Sequence, residues 1–110
     1  MDTQSIVTYK SAFDAIMHEI MADDGSQMEV WYARELQQVC GYARWENFQV
    51  AINRAKDSCN SQNISIDDHF RDVTKTIPMP KGAQKEIKDV LLTRYACYLI
   101  AQNGDPKLRK

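Results

Sequence analysis

The sequence predicts an α+β fold: a small helical domain with a helix-turn-helix-like pair, a short three-stranded antiparallel sheet that includes a wing-like β-hairpin, and a buried C-terminal helix. Three observations support this prediction. Residues 33–58 contain two helical patterns that are separated by Gly41. Residues 69–77 alternate between polar and apolar side chains, and a proline-rich turn and a return strand over residues 83–92 follow. Residues 93–106 contain an apolar run that is bounded by helix-capping residues.

The composition fits a single domain that spans residues 1–110. Of the 110 residues, 44% are hydrophobic and 26% are charged, which favours a soluble globular protein. The longest apolar run is too short to span a bilayer, and the N-terminus lacks the pattern of a signal peptide, so we expect a cytoplasmic protein with no membrane partner. Cys40, Cys59 and Cys97 lack CxxC spacing. We expect reduced thiols, with Cys40 and Cys59 partly exposed, and neither a metal nor another cofactor.

Basic and acidic residues are distributed unevenly along the chain. Residues 1–43 contain two basic and seven acidic residues, whereas residues 44–110 contain twelve basic and eight acidic residues. The basic half is compatible with phosphate binding, but an ordinary mixed surface has a similar composition.

The first half predicts one long helix, a turn, a strand and a short helix. Apolar residues recur at helical spacing over residues 6–21, which predicts an amphipathic helix with His18 on its surface. A turn cluster follows at residues 23–26, and residues 28–32 have the composition of a strand. Residues 33–40 predict a short helix, which Gly41 ends in a conformation with positive φ.

The second helix of the pair is predicted over residues 45–58. A simple helix-turn-helix has an apolar residue six positions after the turn glycine, but Asn47 occupies that position here and Phe48 follows it. The pattern therefore leaves two interpretations open, a helix-turn-helix with a longer turn and a generic helical hairpin.

The polar residues 59–68 predict a loop, and two strands follow over residues 69–77 and 83–92 with a turn at residues 78–82. Lys75, Lys81, Lys85 and Lys88 make this hairpin basic, as in a DNA-binding wing that neutralises phosphates. Lysines on an exposed edge strand also prevent aggregation, so a solvated edge is the alternative interpretation.

The last helix is predicted to begin after Thr93, whose hydroxyl accepts a hydrogen bond from a free amide of the first turn. Residues 95–101 carry no charge, so we expect this helix to be buried on most sides. Asn103 and Gly104 fit a C-terminal cap in which glycine adopts the left-handed conformation at low cost, and Pro106 prevents continuation.

Few residues indicate catalysis. His69 lies beside Asp67 and Asp68, which are able to orient an imidazole. No nucleophile, glycine-rich phosphate loop or metal-ligand cluster has the spacing that an enzyme needs. We therefore predict that the protein is not an enzyme and that His69 hydrogen-bonds to the loop at the start of a strand.

Three runs of the sequence occur together in an order and spacing typical of one family. They are WYARELQQVCGYARWENFQVAINRAKDSC, DDHFRDVTK and EIKDVLLTRYACYLIAQNGDP. On these runs the chain resembles, over about residues 9–110, the bacterial DNA-damage-inducible protein D family, which is similar to the N-terminal domain of baculovirus-repeated-ORF proteins and phage antirepressors. The resemblance implies an α+β DNA-binding module that is expressed in the DNA-damage response and acts near DNA or the bacterial recombinase filament. Members of that family continue beyond an NGDP segment into a charged helical region, so activities that need this region are not carried over.

Together these observations predict a domain that binds DNA, or a DNA–recombinase filament, through its basic hairpin and helix pair. The predicted DNA-binding residues are Arg44, Asn47, Arg54, Arg71, Lys75, Lys81, Lys85 and Lys88, and the predicted partner-facing residues are Tyr42 and Trp45. The alternative is a protein-interaction or dimerisation module that docks on the recombinase without contacting DNA. A homodimer is compatible with the sequence, which does not decide the oligomeric state.

Overall fold

The computed structural model describes residues 11–104, which form an α+β fold as predicted. The predicted helical residues 6–10, Pro106 and the basic residues 107–110 lie outside the described range. The helices are α1 (residues 11–15), α2 (Ala33–Val39), α3 (Trp45–Ser61) and α4 (Arg94–Gln102). The strands are β1 (His18–Met21), β2 (Gln27–Tyr32), β3 (Phe70–Pro78) and β4 (Gln84–Leu92).

The sheet has four antiparallel strands in the order β1-β2-β4-β3, so the prediction of three strands was wrong. Two hairpins, β1–β2 and β3–β4, meet through only two residue pairs, Trp31 with Leu92 and Tyr32 with Leu91. The extra strand, β1, comes from the end of the segment that was predicted to be helical. His18 accordingly lies on a strand, where its Nε2 is 2.6 Å from Glu35 Oε1.

A tight turn explains why the residues after Met17 are extended. Gly25 has a φ of 86°, and the Ala22 amide donates to the Ser26 carbonyl over 2.7 Å. The Asp24 carboxylate also accepts from the Ser26 amide over 2.9 Å, which fixes the reversal of the chain. The turn brings Ile20 opposite Met28, and this cross-strand pairing outweighs the helical spacing of the apolar residues.

The predicted helix pair is present, although its second helix is longer than predicted. The φ of Gly41 is 81°, and the Tyr42 amide donates to the Gln37 carbonyl over 3.0 Å, as in a Schellman cap. At the end of α3, Asn63 has a φ of 58° and the Ile64 amide donates to Cys59 over 2.9 Å. The predicted loop 59–68 therefore contains the last turn of α3, its cap and a 3₁₀ turn at Ile66–Asp68.

The core lies between the helices and one face of the sheet. Helix α4 contributes five buried residues: Ala96, Cys97, Leu99, Ile100 and Ala101. The largest side chains without exposed surface around it are those of Trp31, Phe13, Phe48 and Leu36. The Thr93 hydroxyl accepts from the Ala96 amide over 3.1 Å, so the predicted N-cap is confirmed. Tyr95, by contrast, is 37% exposed.

Gly104 follows α4 for a different reason from the predicted one, because it lacks the positive φ of a left-handed cap. A Cβ atom at this position would lie 2.9 Å from the Tyr42 hydroxyl oxygen and 3.3 Å from the Ile100 carbonyl oxygen. Glycine therefore fits a close approach between the end of α4 and the turn after α2, where a methyl group would force the Tyr42 side chain to shift.

The substitution Gly104→Ala should accordingly lower the free energy of unfolding by about 1–3 kcal/mol through overpacking. Urea denaturation followed by circular dichroism measures this change. In the double variant Gly104→Ala with Tyr42→Phe, the loss should be smaller than the sum of the two single losses, because the phenyl ring leaves room for the methyl group. A stable Gly104→Ala variant would show that the close approach imposes no constraint.

Candidate nucleic-acid interface

The hairpin β3–β4 is long for a domain of this size. Its register runs through nine residue pairs, from Phe70 with Leu92 to Pro78 with Gln84, which corresponds to a length of about 30 Å. The base of the hairpin is buried in the core through Phe70, Val90 and Leu92. Residues 74–88, which we call the distal arm, are all described by the structure, and none of them is buried.

The distal arm is basic. It carries four lysines, Lys75, Lys81, Lys85 and Lys88, against a single acidic residue, Glu86. The register places Lys75 and Lys85 on one face, because their partners are Ile87 and Ile77. Lys88 pairs with Thr74 on the opposite face. The four predicted lysines therefore belong to one arm and are divided between its two faces and its tip.

Lys75 is the most enclosed of these lysines. It is partly buried, and its Nζ atom lies 5.5 Å from the centre of the Tyr32 ring, which favours a cation–π interaction. Lys81 and Lys85 are exposed, as is Arg71 near the base of the arm. Arg71 lines a small cavity of about 70 Å³ together with Asp67 and Asp68, which lie before β3.

A groove of about 350 Å³ separates the base of the distal arm from α3. Trp45, Gln49 and Lys56 line it from the helix, and Thr74 and Lys88 are among the residues that line it from the hairpin. Two lysines, an indole, an amide and a hydroxyl thus surround one concave surface, and Asp72 and Asp89 also line it, so the groove carries charges of both signs. The Lys56 Nζ atom also lies 5.9 Å from the Phe70 ring centre.

Arg34 also borders this groove, although it is not among the residues predicted from the sequence. Its guanidinium carbon lies 4.1 Å from the centre of the Trp45 ring, and its Nε donates to the Lys88 carbonyl over 2.8 Å. Arg34 therefore connects α2, α3 and the arm. This role was not predicted, because Arg34 lies in the acidic half of the sequence and its contacts with residues 45 and 88 depend on the tertiary fold.

The two predicted partner-facing residues both contribute to packing. Tyr42 and Trp45 are each half-buried against the core. Their rings contact Phe48, at centroid distances of 5.1 Å for Tyr42 and 6.2 Å for Trp45. Arg34 covers the Trp45 ring, so the stacking surface that this indole offers to a partner is small.

The remaining predicted residues lie on or near α3, away from the groove. Asn47 and Arg54 are exposed. At about 100° per residue, Asn47 and Lys56 lie on opposite sides of the helix, about 180° apart. Arg44 is exposed before the helix, with its Nε atom 3.8 Å from Glu46 Oε2. The predicted DNA-binding residues thus form two separate groups, the four lysines on the arm and the three residues on or near the outer side of α3, while Arg71 lies near the base of the arm.

The groups that were considered for catalysis have structural contacts. His69 Nδ1 lies 2.7 Å from Thr93 Oγ1, which ties the start of β3 to the cap of α4. Burial raises the pKa of Cys40 to about 11, and burial also raises the pKa values of Cys59 and Cys97. These thiols therefore stay protonated at neutral pH. Cys59 is fully buried, so the prediction that it is partly exposed was wrong.

Within residues 11–104, no helix combines the length and the hydrophobicity that crossing a membrane requires. In the same range no three histidine, cysteine or acidic side chains converge in a way that suits a metal ion.

Comparison with known proteins adds a family assignment to this geometry. The family described as BRO family, N-terminal domain, matches residues 23–110. DNA damage-inducible protein D of Escherichia coli (strain K12) is 39% identical over 88 residues, which is 80% of this chain and 32% of that protein. The chain thus spans about a third of the length of this curated relative. No solved structure matches.

Proposed function

Because this chain belongs to the BRO family through its N-terminal domain, we propose that it binds DNA through the distal arm and catalyses no reaction. The E. coli relative is named for its induction by DNA damage, and a role in the same response is part of this proposal. The observation that carries the proposal is the distal arm itself, which has four lysines, one acidic residue and no buried side chain.

The chemistry of the arm suits the DNA backbone. Each lysine that neutralises a phosphate releases a condensed counterion, which provides affinity without reading the base sequence. The arm is a two-stranded ribbon, which is narrow enough to lie along the DNA backbone at the edge of a groove. Lysines on both faces and at the tip allow such a ribbon to meet phosphates on either side. The outer side of α3, with Asn47 and Arg54, is the second contact surface in this proposal.

The double variant Lys81→Gln with Lys85→Gln tests the role of the arm. We expect it to bind duplex DNA roughly tenfold more weakly than the unchanged protein at 0.1 M salt. The slope of log affinity against log salt should become shallower by about 1.8, because two phosphate contacts are lost. Fluorescence anisotropy with a labelled 30-base-pair duplex, titrated at several salt concentrations, measures both quantities.

The matched control is Arg44→Gln with Arg54→Gln, which removes the same charge from the region of α3. If the arm carries most of the affinity, this control should change the binding constant less than the arm variant does. A larger loss in the control would move the main contact to α3. Binding by the unchanged protein without any salt dependence would contradict phosphate contacts altogether.

A second candidate function is docking on the recombinase filament, or on another copy of the chain, without contact to DNA. The β1–β2 hairpin favours it, because Met21 is 75% exposed on one face and Met28 is 38% exposed on the other, at the end of the hairpin that carries Asp23 and Asp24. If the variant Met21→Glu fails to bind recombinase filaments while the arm variant still binds them, docking through this hairpin is the better account.

A further inference from the structure

The tip of the distal arm carries apolar side chains that no core requires. Residues 78–80 have the sequence Pro-Met-Pro, and all three side chains are exposed, Met79 to the extent of 40%. No residue of the distal arm is buried, so neither proline nor methionine here packs into the interior. The basic arm therefore ends in an apolar tip.

The tip is also rigid. The Met79 amide donates to the Ala83 carbonyl over 2.8 Å, which closes the loop immediately beyond the last strand pair. Pro78 and Pro80 each fix their own φ and lack an N–H group. The chain reverses through Lys81 and Gly82, with φ values of 65° and 78°. A ligand that contacts the tip therefore restricts rotation about few additional backbone bonds.

We propose that the tip acts as a wedge, with Met79 and Pro80 entering between two adjacent base pairs of duplex DNA and kinking it. This inference rests on the proposed DNA binding and deepens it. Proline and methionine are among the side chains that proteins insert between base steps from the minor groove, where partial unstacking bends the duplex. Apolar side chains suit this position, because a base-pair step presents flat, apolar ring faces.

The surroundings of the tip fit this use of it. Lys81 follows Pro80 directly, and Lys85 lies one residue beyond the strand pair that closes the loop. These two ammonium groups are close enough along the chain to neutralise the phosphates that a kink brings together. The minor groove is about 6 Å wide, so a single-chain turn enters it more readily than the full ribbon does. The flanking lysines complement a polyanion, which favours DNA over an uncharged protein surface as the partner of the tip.

A bending experiment separates this inference from the proposed function. The probe is a 30-base-pair duplex with a donor and an acceptor dye at its ends, and binding to it is measured in parallel by anisotropy. We expect the unchanged protein to raise energy transfer when it binds, because a kink shortens the end-to-end distance. A 2-aminopurine base placed within the duplex should brighten as its stacking is lost.

The informative variant is Met79→Ser, with Met79→Leu as its matched control. Met79→Ser should keep its affinity within about threefold but lose most of the increase in energy transfer, whereas Met79→Leu should retain it. Because Met79 is exposed and far from the core, the urea midpoint should be the same for both variants. Bending by Met79→Ser to the full extent would overturn the wedge.

The remaining outcomes are also decisive. If the unchanged protein binds the duplex and neither dye pair nor 2-aminopurine responds, the wedge is wrong and the proposed DNA binding stands. If the protein does not bind DNA at all, both proposals are wrong. A third outcome is that the arm variant, Lys81→Gln with Lys85→Gln, raises energy transfer as much as the unchanged protein does. If the α3 variant, Arg44→Gln with Arg54→Gln, then raises it no longer, bending originates at α3 and the wedge is wrong.

Discussion

Replacing Trp31 by alanine should lower the free energy of unfolding by about 3–5 kcal/mol. The indole has no exposed surface, and it lies on the strand pair that joins the two hairpins. The Arg94 guanidinium carbon is 5.0 Å from the centre of its ring, so the loss also removes a cation–π contact. A domain of this size has a total stability of about 5–15 kcal/mol, so the variant should be substantially destabilised or unfolded at room temperature.

Trp31→Phe keeps the prediction measurable if the alanine variant does not fold. The indole Nε1 donates to the Phe13 carbonyl over 2.7 Å in the interior. Phenylalanine preserves most of the apolar contact but removes this hydrogen bond, while the Phe13 carbonyl still accepts from the Ile16 amide over 3.1 Å, so the change should cost about 1 kcal/mol. Urea denaturation with circular dichroism measures both variants. The control is Trp45→Phe, at a half-buried position, which should cost less than Trp31→Phe.

An unchanged stability of Trp31→Ala would show that the core is not centred on this indole. If Trp31→Ala unfolds at the same urea concentration as the unchanged protein, neither the buried indole nor the seam between the hairpins limits stability. Such a result would contradict the packing described for residues 11–104.

Replacing Asp89 by alanine should cost about 1–3 kcal/mol, because the loss of two amide hydrogen bonds is partly offset by the removal of Oδ2, which is buried without a hydrogen-bond partner among the described residues. This carboxylate is 1% exposed and is the buried acidic side chain among the residues that the structure describes. Its Oδ1 accepts from the Arg34 amide over 3.0 Å and from the Val90 amide over 2.8 Å. Tyr32, the residue before α2, gives no side-chain cap, so Asp89 caps that helix from the neighbouring strand β4.

Two further variants separate the parts of this effect. Asp89→Asn retains an oxygen acceptor but loses the negative charge at the helix N-terminus, so it should cost less than Asp89→Ala. Asp72→Ala is the matched control, because Asp72 is exposed on the neighbouring strand and should change stability by less than about 0.5 kcal/mol. Equal urea midpoints for Asp89→Ala and Asp72→Ala would show that the cap contributes nothing.

The Asp89 variants also bear on the candidate interface. Asp89 holds the Arg34 amide, and the Arg34 side chain lies over Trp45 and binds the Lys88 carbonyl. Loss of the cap should therefore loosen the groove as well as α2. Faster quenching of Trp45 fluorescence by acrylamide in a Trp31→Phe background would report that change.

Local signals in the sequence identified most elements correctly. Gly41 and Thr93 mark helix boundaries through short-range backbone chemistry, and both assignments are confirmed. The strand β1 was missed because Ile20 fits a helical period as well as a two-residue period, and only pairing with Met28 decides between them. Gly104 was misinterpreted because its constraint comes from the Tyr42 side chain, which is distant in sequence.

The candidate interface was predictable in part. The lysines of the hairpin were identified from composition, and their division between two faces follows from alternation, because Lys85 and Lys88 are an odd number of residues apart. Helical periodicity likewise separates Asn47 from Lys56. The position of Arg34 beside the groove was not predictable from the sequence, because its contacts with Trp45 and the Lys88 carbonyl depend on how α2 packs against the sheet.

The narrow junction between the hairpins, at Trp31 with Leu92 and Tyr32 with Leu91, has a consequence for dynamics. Nine residue pairs hold β3 to β4 and four hold β1 to β2, but two pairs alone join these units. Cooperative units that open below the global unfolding threshold tend to separate where backbone pairing is sparse. Amide protons of β1 should therefore exchange with solvent through a sub-global opening in which β3–β4 stays intact. The sheet would then behave as two cooperative units, β1–β2 and β3–β4, that pack against the same core.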